Sequence, residues 1–515
     1  LRSFTQLGGL AQNLLLGNAS TLRIDPNCIF NGNLTTTSAA LYISGSTFNG
    51  TSKFTKTGTT GDVSNGGNTF NGPAEFIISG TGNLSLHNTG VDQFNGDVLV
   101  NSTNVGSIYF GQTTGSATLA SGRTIAVGAL GFNPGNLVLH NFTQLGPAAQ
   151  NLLLGASALL RIDPNCVFNG DLTTTSAALL INGSTFNGAC KFTKSGPSTD
   201  NSAGANTFNG STELVLTGSG TLNLDYNTGT DQFNGNLVVN STGTGAINFG
   251  GVSGAAVLAA GRTLSIGSLG FSAGGLGLRN FRQIGPTVQS LSMTGTASLN
   301  FLTGTVIDGP ITTTSPNLSL NGSTFNGASR FTKTGPSNNA CTGGNVFNAD
   351  MELYLTNGPF TLASNYVDDF NGNATFVRTG SGTVVVCNAF NTTFSKNVST
   401  VGSTGTVQFG AGAGRAIFDG TGVQQFSSDA AFPPQVRNLT INKPSGTLDL
   451  LGDVVVTLDL AFTSGVIRPQ AATSTSNGLL IVNSGVTFSD AADVNSHVDG
   501  FLRKIGNTAF AFPVG

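Results

Sequence analysis

Short runs of apolar residues, many of them alternating with polar ones, recur along the chain and predict β-strands. The runs are rich in β-branched residues and are bounded by Gly, Asn, Ser and Asp, which favour turns. Examples are Ala74–Ser79, Leu84–His87, Asp97–Asn101, Glu213–Thr217 and Thr383–Cys387. No stretch has the 3.6-residue spacing of an amphipathic helix. The pattern therefore predicts an all-β chain.

A Phe-Asn-Gly element recurs between these strands in steps of 18 to 25 residues. Self-similarity at this period is typical of a solenoid, in which each coil packs only on its neighbours. Helical solenoids are excluded because they need amphipathic helices. With two or three short strands per coil and no hairpin spacing, we predict a right-handed parallel β-helix (β-solenoid) with coils of about 18–25 residues and a rise of about 4.8 Å per coil.

A longer repeat is superimposed on the short one. Phe4–Gly8 returns at Phe142–Gly146 and, weakened, at Phe281–Gly285, so the long period is 138 and then 139 residues. We therefore predict three long repeats, 1–141, 142–280 and a divergent 281–415, followed by a C-terminal β-solenoid segment, 416–515.

Identical positions in neighbouring coils of a β-helix stack, which gives the Phe-Asn-Gly element a structural role. Each Phe is expected to point inward and stack on its equivalents, and each Asn to hydrogen-bond the next in a ladder. Gly is expected to supply a positive φ. The alternative is a Phe-lined ligand groove. The predicted ladder residues are Phe30, Asn31, Phe48, Asn49, Phe70, Asn71, Phe94, Asn95, Phe168, Asn169, Phe186, Asn187, Phe208, Asn209, Phe233 and Asn234, with relatives at Phe325, Phe347 and Phe370.

Composition indicates an unusual surface. Charged residues make up only 9% of the chain, Gly contributes 73 residues, and the formal net charge is −3. Small polar residues must therefore coat the outside, as is common on secreted bacterial fibres. No basic patch suggests a nucleic-acid partner, and no apolar run of about 18 residues is long enough to span a membrane.

The five cysteines are expected to be isolated, buried thiols. Cys28 and Cys166 occupy equivalent places one long repeat apart, roughly 29 Å at one strand spacing per coil, whereas a disulfide needs Cα atoms within about 7 Å. Cys190, Cys341 and Cys387 have no matching equivalents. No Cys/His cluster suggests a metal site, and no cofactor is predicted.

Acidic residues recur at one place, as Asp92, Asp231 and the pair Asp368–Asp369. Paired carboxylates on a β-helix face bind calcium or act as acid and base. Because these acids recur about 138 residues apart, we expect no active-site pairing except at Asp368–Asp369, whose side chains should point to opposite faces of a strand. The acids are expected to cap turns, and we predict no catalytic residue and no enzyme activity.

Cations also recur, as Lys53 and Lys56, Lys191 and Lys194, and Arg330 and Lys333. The two members of each pair flank a Phe, so at least one cation per long repeat is expected to be exposed on the same side. We expect solvated surface charge, with a weak array for anionic glycans as the alternative.

The chain after about residue 415 resembles a segment of the very large surface and secreted proteins of Bacteroidota, the cargo of the type IX secretion system. The residues that carry the resemblance are the strands Asn438–Leu450, Gly452–Thr457 and Leu460–Ile467 and the closing motif in Val498–Gly515. The resemblance covers about 100 of 515 residues. It implies an exported, often adhesive protein with further domains and a C-terminal sorting signal beyond this sequence.

These observations predict a structural, non-catalytic shaft of an exported cell-surface fibre or adhesin, which assembles with copies of itself in a narrower variant of the hypothesis. The alternative is a glycan-binding or polysaccharide-degrading β-helix protein. The chain begins inside a repeat without Met or a signal peptide, so we expect a piece of a longer polypeptide. Expected partners are the rest of that polypeptide, further copies and surface glycans, at the outer cell surface.

Overall fold

The computed structural model describes residues 1–17, 19–402, 404–473, 476–489 and 493–513. These residues contain strands and turns and no helix, so no helix of the described chain is long and apolar enough to cross a membrane. Two compact units are present, Leu1–Gly270 and Phe271–Gly515. Val514 and Gly515 of the closing motif lie outside the described residues.

The strands of the first unit are short. They are β1 (Gln12–Leu15), β2 (Thr21–Ile24), β3 (Ile29–Phe30), β4 (Leu34–Ser38), β5 (Ala40–Ile43), β6 (Thr47–Phe48), β7 (Ser52–Lys56), β8 (Asp62–Val63), β9 (Thr69–Phe70), β10 (Ala74–Ile78), β11 (Leu84–Leu86), β12 (Val91–Phe94), β13 (Val98–Ser102), β14 (Ile108–Phe110), β15 (Ser116–Leu119), β16 (Ile125–Phe132), β17 (Gly135–Leu139), β18 (Phe142–Gln144), β19 (Gln150–Leu153), β20 (Ala158–Ile162), β21 (Val167–Phe168), β22 (Leu172–Ser176), β23 (Ala178–Ile181), β24 (Thr185–Phe186), β25 (Cys190–Lys194), β26 (Asp200–Asn201), β27 (Thr207–Phe208), β28 (Thr212–Leu216), β29 (Leu222–Leu224), β30 (Thr230–Phe233), β31 (Leu237–Ser241), β32 (Ala246–Phe249), β33 (Ala255–Leu258) and β34 (Leu264–Phe271).

The second unit continues with strands of the same kind until two long ones, β56 and β57. They are β35 (Gly275–Leu278), β36 (Phe281–Gln283), β37 (Gln289–Ser292), β38 (Ser298–Phe301), β39 (Val306–Ile307), β40 (Ile311–Ser315), β41 (Asn317–Leu320), β42 (Thr324–Phe325), β43 (Ser329–Lys333), β44 (Asn339–Ala340), β45 (Val346–Phe347), β46 (Met351–Leu355), β47 (Phe360–Thr361), β48 (Asp368–Phe370), β49 (Ala374–Arg378), β50 (Val384–Val386), β51 (Thr392–Phe394), β52 (Val398–Gly402), β53 (Val407–Phe409), β54 (Ala416–Phe418), β55 (Gln424–Ser428), β56 (Gln435–Leu450), β57 (Val454–Pro469), β58 (Leu480–Val482), β59 (Thr487–Phe488) and β60 (Leu502–Lys504).

Each typical coil of the first unit contributes three strands, which stack in parallel on the equivalent strands of neighbouring coils. The first stack contains β4, β7, β10 and β13. The second contains β8, β11 and β14, and the third β6, β9 and β12. The predicted all-β, parallel β-solenoid is therefore confirmed.

Coil length varies around the predicted value. Partner residues in neighbouring coils are 18 apart in sequence where Leu34 pairs with Ser52, and 27 apart where Val98 pairs with Ile125. The additional residues of the longer coils include β16, whose register against β13 is interrupted between Val100 and Ser102. The insertion in this longer coil therefore lies in a bulge of β16, and pairing resumes after it where Ser102 pairs with Phe132.

The core is formed by every second residue of the strands. In β4 and β7 the burial alternates strictly, so that Phe54 points inward between the outward-facing Lys53 and Thr55. The outward positions of these two strands are Thr35, Thr37, Lys53 and Thr55. This alternation follows from the two-residue period of a strand with one buried face.

The C-terminal part of the second unit differs in strand length, as the change of sequence pattern near residue 415 suggested. β56 and β57 each contain 16 residues and pair with one another in parallel. β56 also pairs with β53, β54 and β55, and so covers all three strand stacks of the preceding coil. In this part of the chain, the strands therefore continue through the corners at which the strands of the other coils end.

Candidate functional site

The Phe residues of the Phe-Asn-Gly elements form two ladders in the core of the first unit. Successive rings are nearly parallel, within 8° of one another, and every ring is at most 1% exposed. The centroid distances are 5.4 Å for Phe30–Phe48, 4.9 Å for Phe48–Phe70 and Phe70–Phe94, 5.7 Å for Phe168–Phe186, 5.0 Å for Phe186–Phe208 and 4.8 Å for Phe208–Phe233. Fully buried rings leave no Phe-lined groove at these positions.

The Asn residues that follow form parallel ladders at the corner of the coil. Each side-chain Nδ2 donates to the Oδ1 of the Asn one coil below, at 2.6–2.8 Å, and the lowest member of each ladder donates to a Gln carbonyl oxygen. The donor–acceptor pairs are Asn49 to Asn31, Asn71 to Asn49, Asn95 to Asn71, Asn187 to Asn169, Asn209 to Asn187 and Asn234 to Asn209.

The glycine of the element has a different role from the one predicted. Gly50, Gly72, Gly188 and Gly210 do not have positive φ angles. A Cβ added to Gly210 would instead lie 2.2 Å from the carbonyl oxygen of Gly188, the equivalent glycine one coil below. The expectation of positive φ was wrong, because the corner requires close backbone approach between coils rather than left-handed geometry.

The recurrent acids are buried inside strands and do not cap exposed turns. Asp92, Asp231 and Asp368 have no exposed surface. In each case Oδ1 accepts two hydrogen bonds from one Asn of the coil below, from its backbone N–H and its Nδ2, at 2.8–3.0 Å. The donors are Asn68, Asn206 and Asn345, respectively.

Burial changes the acidity of these carboxyl groups. Removal from water raises the pKa of Asp368 to about 6, although hydrogen bonds from Asn345 lower it. Asp369 is partly exposed on the other face of β48, so the two side chains lie on opposite faces as expected.

One carboxyl pair was missed by sequence analysis. The side chain of Asp225 contacts that of Asp231, so the expectation that the acids of different repeats have no acidic neighbour was wrong for the second repeat. At the equivalent place in the first repeat, His87 Nδ1 lies 3.3 Å from Asp92 Oδ2. A comparison of the turns that precede each Asp could have revealed this second acid.

The recurrent cations divide into an outer and an inner set. Lys53, Lys191 and Arg330 are partly exposed, as predicted, and each lies 3.1–3.7 Å from a Glu on the neighbouring strand. Because their charges are paired, the outer cations do not form a free basic array.

The inner cations, Lys56, Lys194 and Lys333, are fully buried. Lys56 pairs with Asp62 at 2.8 Å, and Lys194 with Asp200 at 2.7 Å. Sequence analysis missed these pairs, although the Asp follows the Lys by six residues in both repeats.

Lys333 is the exception among the inner cations, because Asn339 stands where the Asp of the other repeats would be. Its ammonium donates to the carbonyl oxygens of Gly335 at 2.6 Å and Asn357 at 3.0 Å, and burial lowers its pKa. The Oδ1 atom of Asn339 is buried without a hydrogen-bond partner.

All five cysteines are free and buried, as predicted. Burial raises the pKa of the Cys166 and Cys341 thiols to about 12, so they remain protonated and unreactive at neutral pH. Within the described residues no group of three or more His, Cys, Asp or Glu side chains is arranged to hold a metal ion.

Two neighbouring depressions lie on the outside of the first unit, with volumes of about 460 and 330 Å³. Both include Arg161, Asp163 and Pro164, and we call them together the Arg161 groove. Its remaining lining residues are Tyr109, Gly111, Gln112, Thr113, Val138, His140, Leu180, Asn182, Asn201, Ala203 and Asn227. An aromatic ring, a His and several amides share this concave surface.

Charge in the Arg161 groove is balanced internally. Arg161 Nε donates to Asp163 Oδ1 at 2.6 Å, and Asn182 Nδ2 donates to the same oxygen at 3.2 Å. In the first repeat, the equivalent Arg23 lies 4.7 Å from the ring centre of Tyr42. Leu180 replaces that tyrosine in the second repeat, so the Arg161 guanidinium has no such aromatic cover.

Comparison of the chain with protein-family models, curated proteins and solved structures finds no match.

Proposed function

We propose that this chain is the structural, non-catalytic shaft of an exported cell-surface fibre or adhesin. One observation carries the proposal. The recurrent charged groups and the thiols are paired or buried: the outer cations are paired with Glu, the inner cations and the acids Asp92, Asp231 and Asp368 are in the core, and all five thiols are buried. Many of the outward positions are Thr, Ser or Asn, as in β22, and these small polar side chains suit a surface whose role is support.

The resemblance of residues 416–515 to Bacteroidota surface proteins supports export. Its strand segment Asn438–Leu450 lies in β56, and Gly452–Thr457 leads into β57.

Immunogold labelling of intact cells of the producing organism tests the proposal. We expect gold particles on surface fibres, and negative-stain images of the isolated fibres to contain the protein. Label confined to the cell interior would exclude a surface fibre, and turnover of a polysaccharide by the purified protein would exclude a purely structural role.

The Arg161 groove favours a second function, binding of a neutral glycan. Tyr109 offers an aromatic face, the amides of Gln112 and Asn227 offer donors and acceptors, and the Arg161–Asp163 pair leaves no net charge for an ionic ligand. Sites for uncharged polar ligands combine an apolar surface with a few convergent polar groups in this way.

Titration with fluorescently labelled neutral oligosaccharides of four to six sugars tests the groove. Tyr109→Ala and Arg161→Ala should weaken binding at least tenfold, whereas the matched Arg23→Ala should not. Equal binding by all variants, or binding restricted to sulfated sugars, would exclude the neutral-glycan site.

A further inference from the structure

Asp225 and Asp231 form a buried carboxyl pair in the second repeat. Asp225 follows β29 with a φ of 54°, and Asp231 lies in β30. Neither residue has exposed surface, and their side chains contact each other. Two carboxyl groups are therefore held together in the core of the first unit.

The hydrogen bonds of the pair are incomplete if both groups are ionised. Asp231 Oδ1 accepts from Asn206, but Asp231 Oδ2 and both Asp225 oxygens have no donor. An ionised carboxylate only accepts hydrogen bonds, whereas a protonated one also donates. One proton between the two groups would supply the missing donor.

Within the described part of the chain, no cation lies in hydrogen-bonding contact with the three carboxyl oxygens that lack a donor. The facing segments of the neighbouring coils, 202–208 below and 246–259 above, contain no ionisable side chain. Lys194 and Asp200, the next charges in the coil below, lie 2.7 Å apart and are paired with each other. The adjacent Tyr226 is partly exposed. Two negative charges in this environment would be strongly unfavourable.

We propose that Asp225 and Asp231 share one proton at neutral pH, and that loss of this proton loosens the coil, which makes the pair a pH-sensitive latch in the first unit. Burial raises the pKa of both groups; the charge of Asp231 raises the pKa of Asp225 further, whereas the hydrogen bond from Asp225 lowers the pKa of Asp231. The carboxyl O–H of one group donates to a carboxylate oxygen of the other, and the hydrogen bonds from Asn206 hold the acceptor in place.

The other repeats provide internal comparisons. The residue that faces the recurrent Asp is His87 in the first repeat, with a φ of 40°, and Ala363 in the third, with a φ of 53°. The same turn therefore presents an imidazole, a carboxyl or a methyl group to a buried Asp. Among these three turns, that of the second repeat alone places a second carboxyl group against the buried Asp.

The sign of the pH effect follows from the raised pKa. In the locally opened coil each aspartate is exposed and loses its proton near pH 4. In the closed form, the native coil with both side chains buried, the pair retains one proton. The closed form therefore binds more protons, and its stability against local opening falls as pH rises above about 4 and continues to fall until the closed pair loses its shared proton. The loss amounts to about tenfold in the opening equilibrium per pH unit for one proton.

Hydrogen exchange at the backbone amide of Asn206, corrected for intrinsic exchange, tests the latch because this amide donates to Asp231 at 2.8 Å. Between pH 6.5 and 8.5 we expect its protection to fall about tenfold per pH unit. The amide of Asn345, bound to Asp368 without a second acid, should show no such slope above about pH 6.

Two variants complete the experiment. Asp225→Asn carries a permanent N–H donor toward Asp231 and should abolish the slope at Asn206. His87→Asp should create a second carboxyl pair with Asp92 and so produce the same slope at the amide of Asn68, which donates to Asp92, while the slope at Asn206 remains. Protection at Asn206 that does not change with pH, or an unchanged slope in Asp225→Asn, would overturn the proposal. If one variant fails to fold, the second variant and the wild-type protein still provide the test.

Discussion

At the scale of single residues, close approach between coils explains the choice of side chain better than local conformation does. Gly210 has no positive φ, yet its Cα lies against the backbone of Gly188. The neighbouring Asn209 meanwhile continues a hydrogen-bonded ladder. The identity of both residues is therefore explained by their contacts with the coil below and not by their neighbours in the sequence.

Gly210→Ala should therefore destabilise the protein. The new Cβ would lie 2.2 Å from the Gly188 carbonyl oxygen, and relief of that overlap requires a backbone shift costing about 1–3 kcal/mol. Urea unfolding followed by circular dichroism measures the loss. Gly61→Ala is the matched control, because no atom lies within 4 Å of its added Cβ. Equal stability of the two variants would contradict the close-approach explanation.

A second residue-scale prediction concerns Lys333, which lacks the carboxylate that its equivalents possess. Asn339→Asp should restore a buried ion pair and stabilise the protein by about 1–3 kcal/mol, while Asp200→Asn should leave Lys194 unpaired and cost about 3–5 kcal/mol. Urea midpoints at neutral pH measure both changes. Changes in the free energy of unfolding of the same sign for the two substitutions would contradict this explanation.

The pH dependence of the stability of the same variants tests whether the buried charge of Lys333 is the cause of the difference. Burial lowers the pKa of Lys333, so the folded protein binds this proton less tightly than the unfolded chain. Stability from this group therefore rises with pH between the lowered pKa and about 10.4, the value of a free lysine. Asn339→Asp should remove that rise. Its persistence would show that Lys333 is not the group responsible.

At the scale of the element, the coil is stabilised by contacts between equivalent residues of different coils. Phe186 packs between Phe168 and Phe208 as parallel rings, and Phe192 of the next strand meets it edge-on at 5.5 Å. Offset-stacked and edge-on pairs are favourable arrangements of aromatic rings. Each Phe therefore links its own coil to the ones above and below.

Phe186→Ala should cost about 3–5 kcal/mol, because it removes a fully buried ring and leaves a cavity that two stacked neighbours cannot fill. Urea denaturation gives the loss, and hydrogen exchange should locate it in the coils around residues 168–208. Leu145→Ala is the control, since Leu145 is 56% exposed and should change stability by less than about 0.5 kcal/mol. A small loss at Phe186 would mean that neighbouring rings close the gap.

The fold class could be predicted from the sequence because each coil of a parallel solenoid corresponds to one repeat of the sequence pattern. Two-residue alternation and the Phe-Asn-Gly spacing together determine short parallel strands. Sequence reasoning failed where charged side chains six residues apart meet in the core, as Asp225 meets Asp231 and Lys56 meets Asp62. Asp225 was missed because its equivalents are His87 and Ala363, and the burial of Lys56 was missed because charged residues are ordinarily exposed.

At the scale of the whole molecule, composition controls how copies of the chain interact. Only 9% of residues are charged, the net charge is −3, and the outer cations face Glu residues. Proteins with little net charge associate readily because long-range repulsion is weak. If the proposed fibre contains several copies of the chain, we expect uncharged outward side chains to make most of the contacts, both polar ones and exposed apolar ones such as Leu145 and Leu153.

Purified protein should consequently self-associate as concentration rises, with little change between about 0.05 and 0.5 M salt, since screening acts on unpaired surface charges. Sedimentation velocity and negative-stain microscopy measure the assembly. The double variant Thr173→Glu and Thr175→Glu adds charge at two outward positions of β22 and should remain dispersed at low salt. A wild-type protein that stays monomeric, or a charged variant that assembles equally well, would favour a single-chain stalk over a filament.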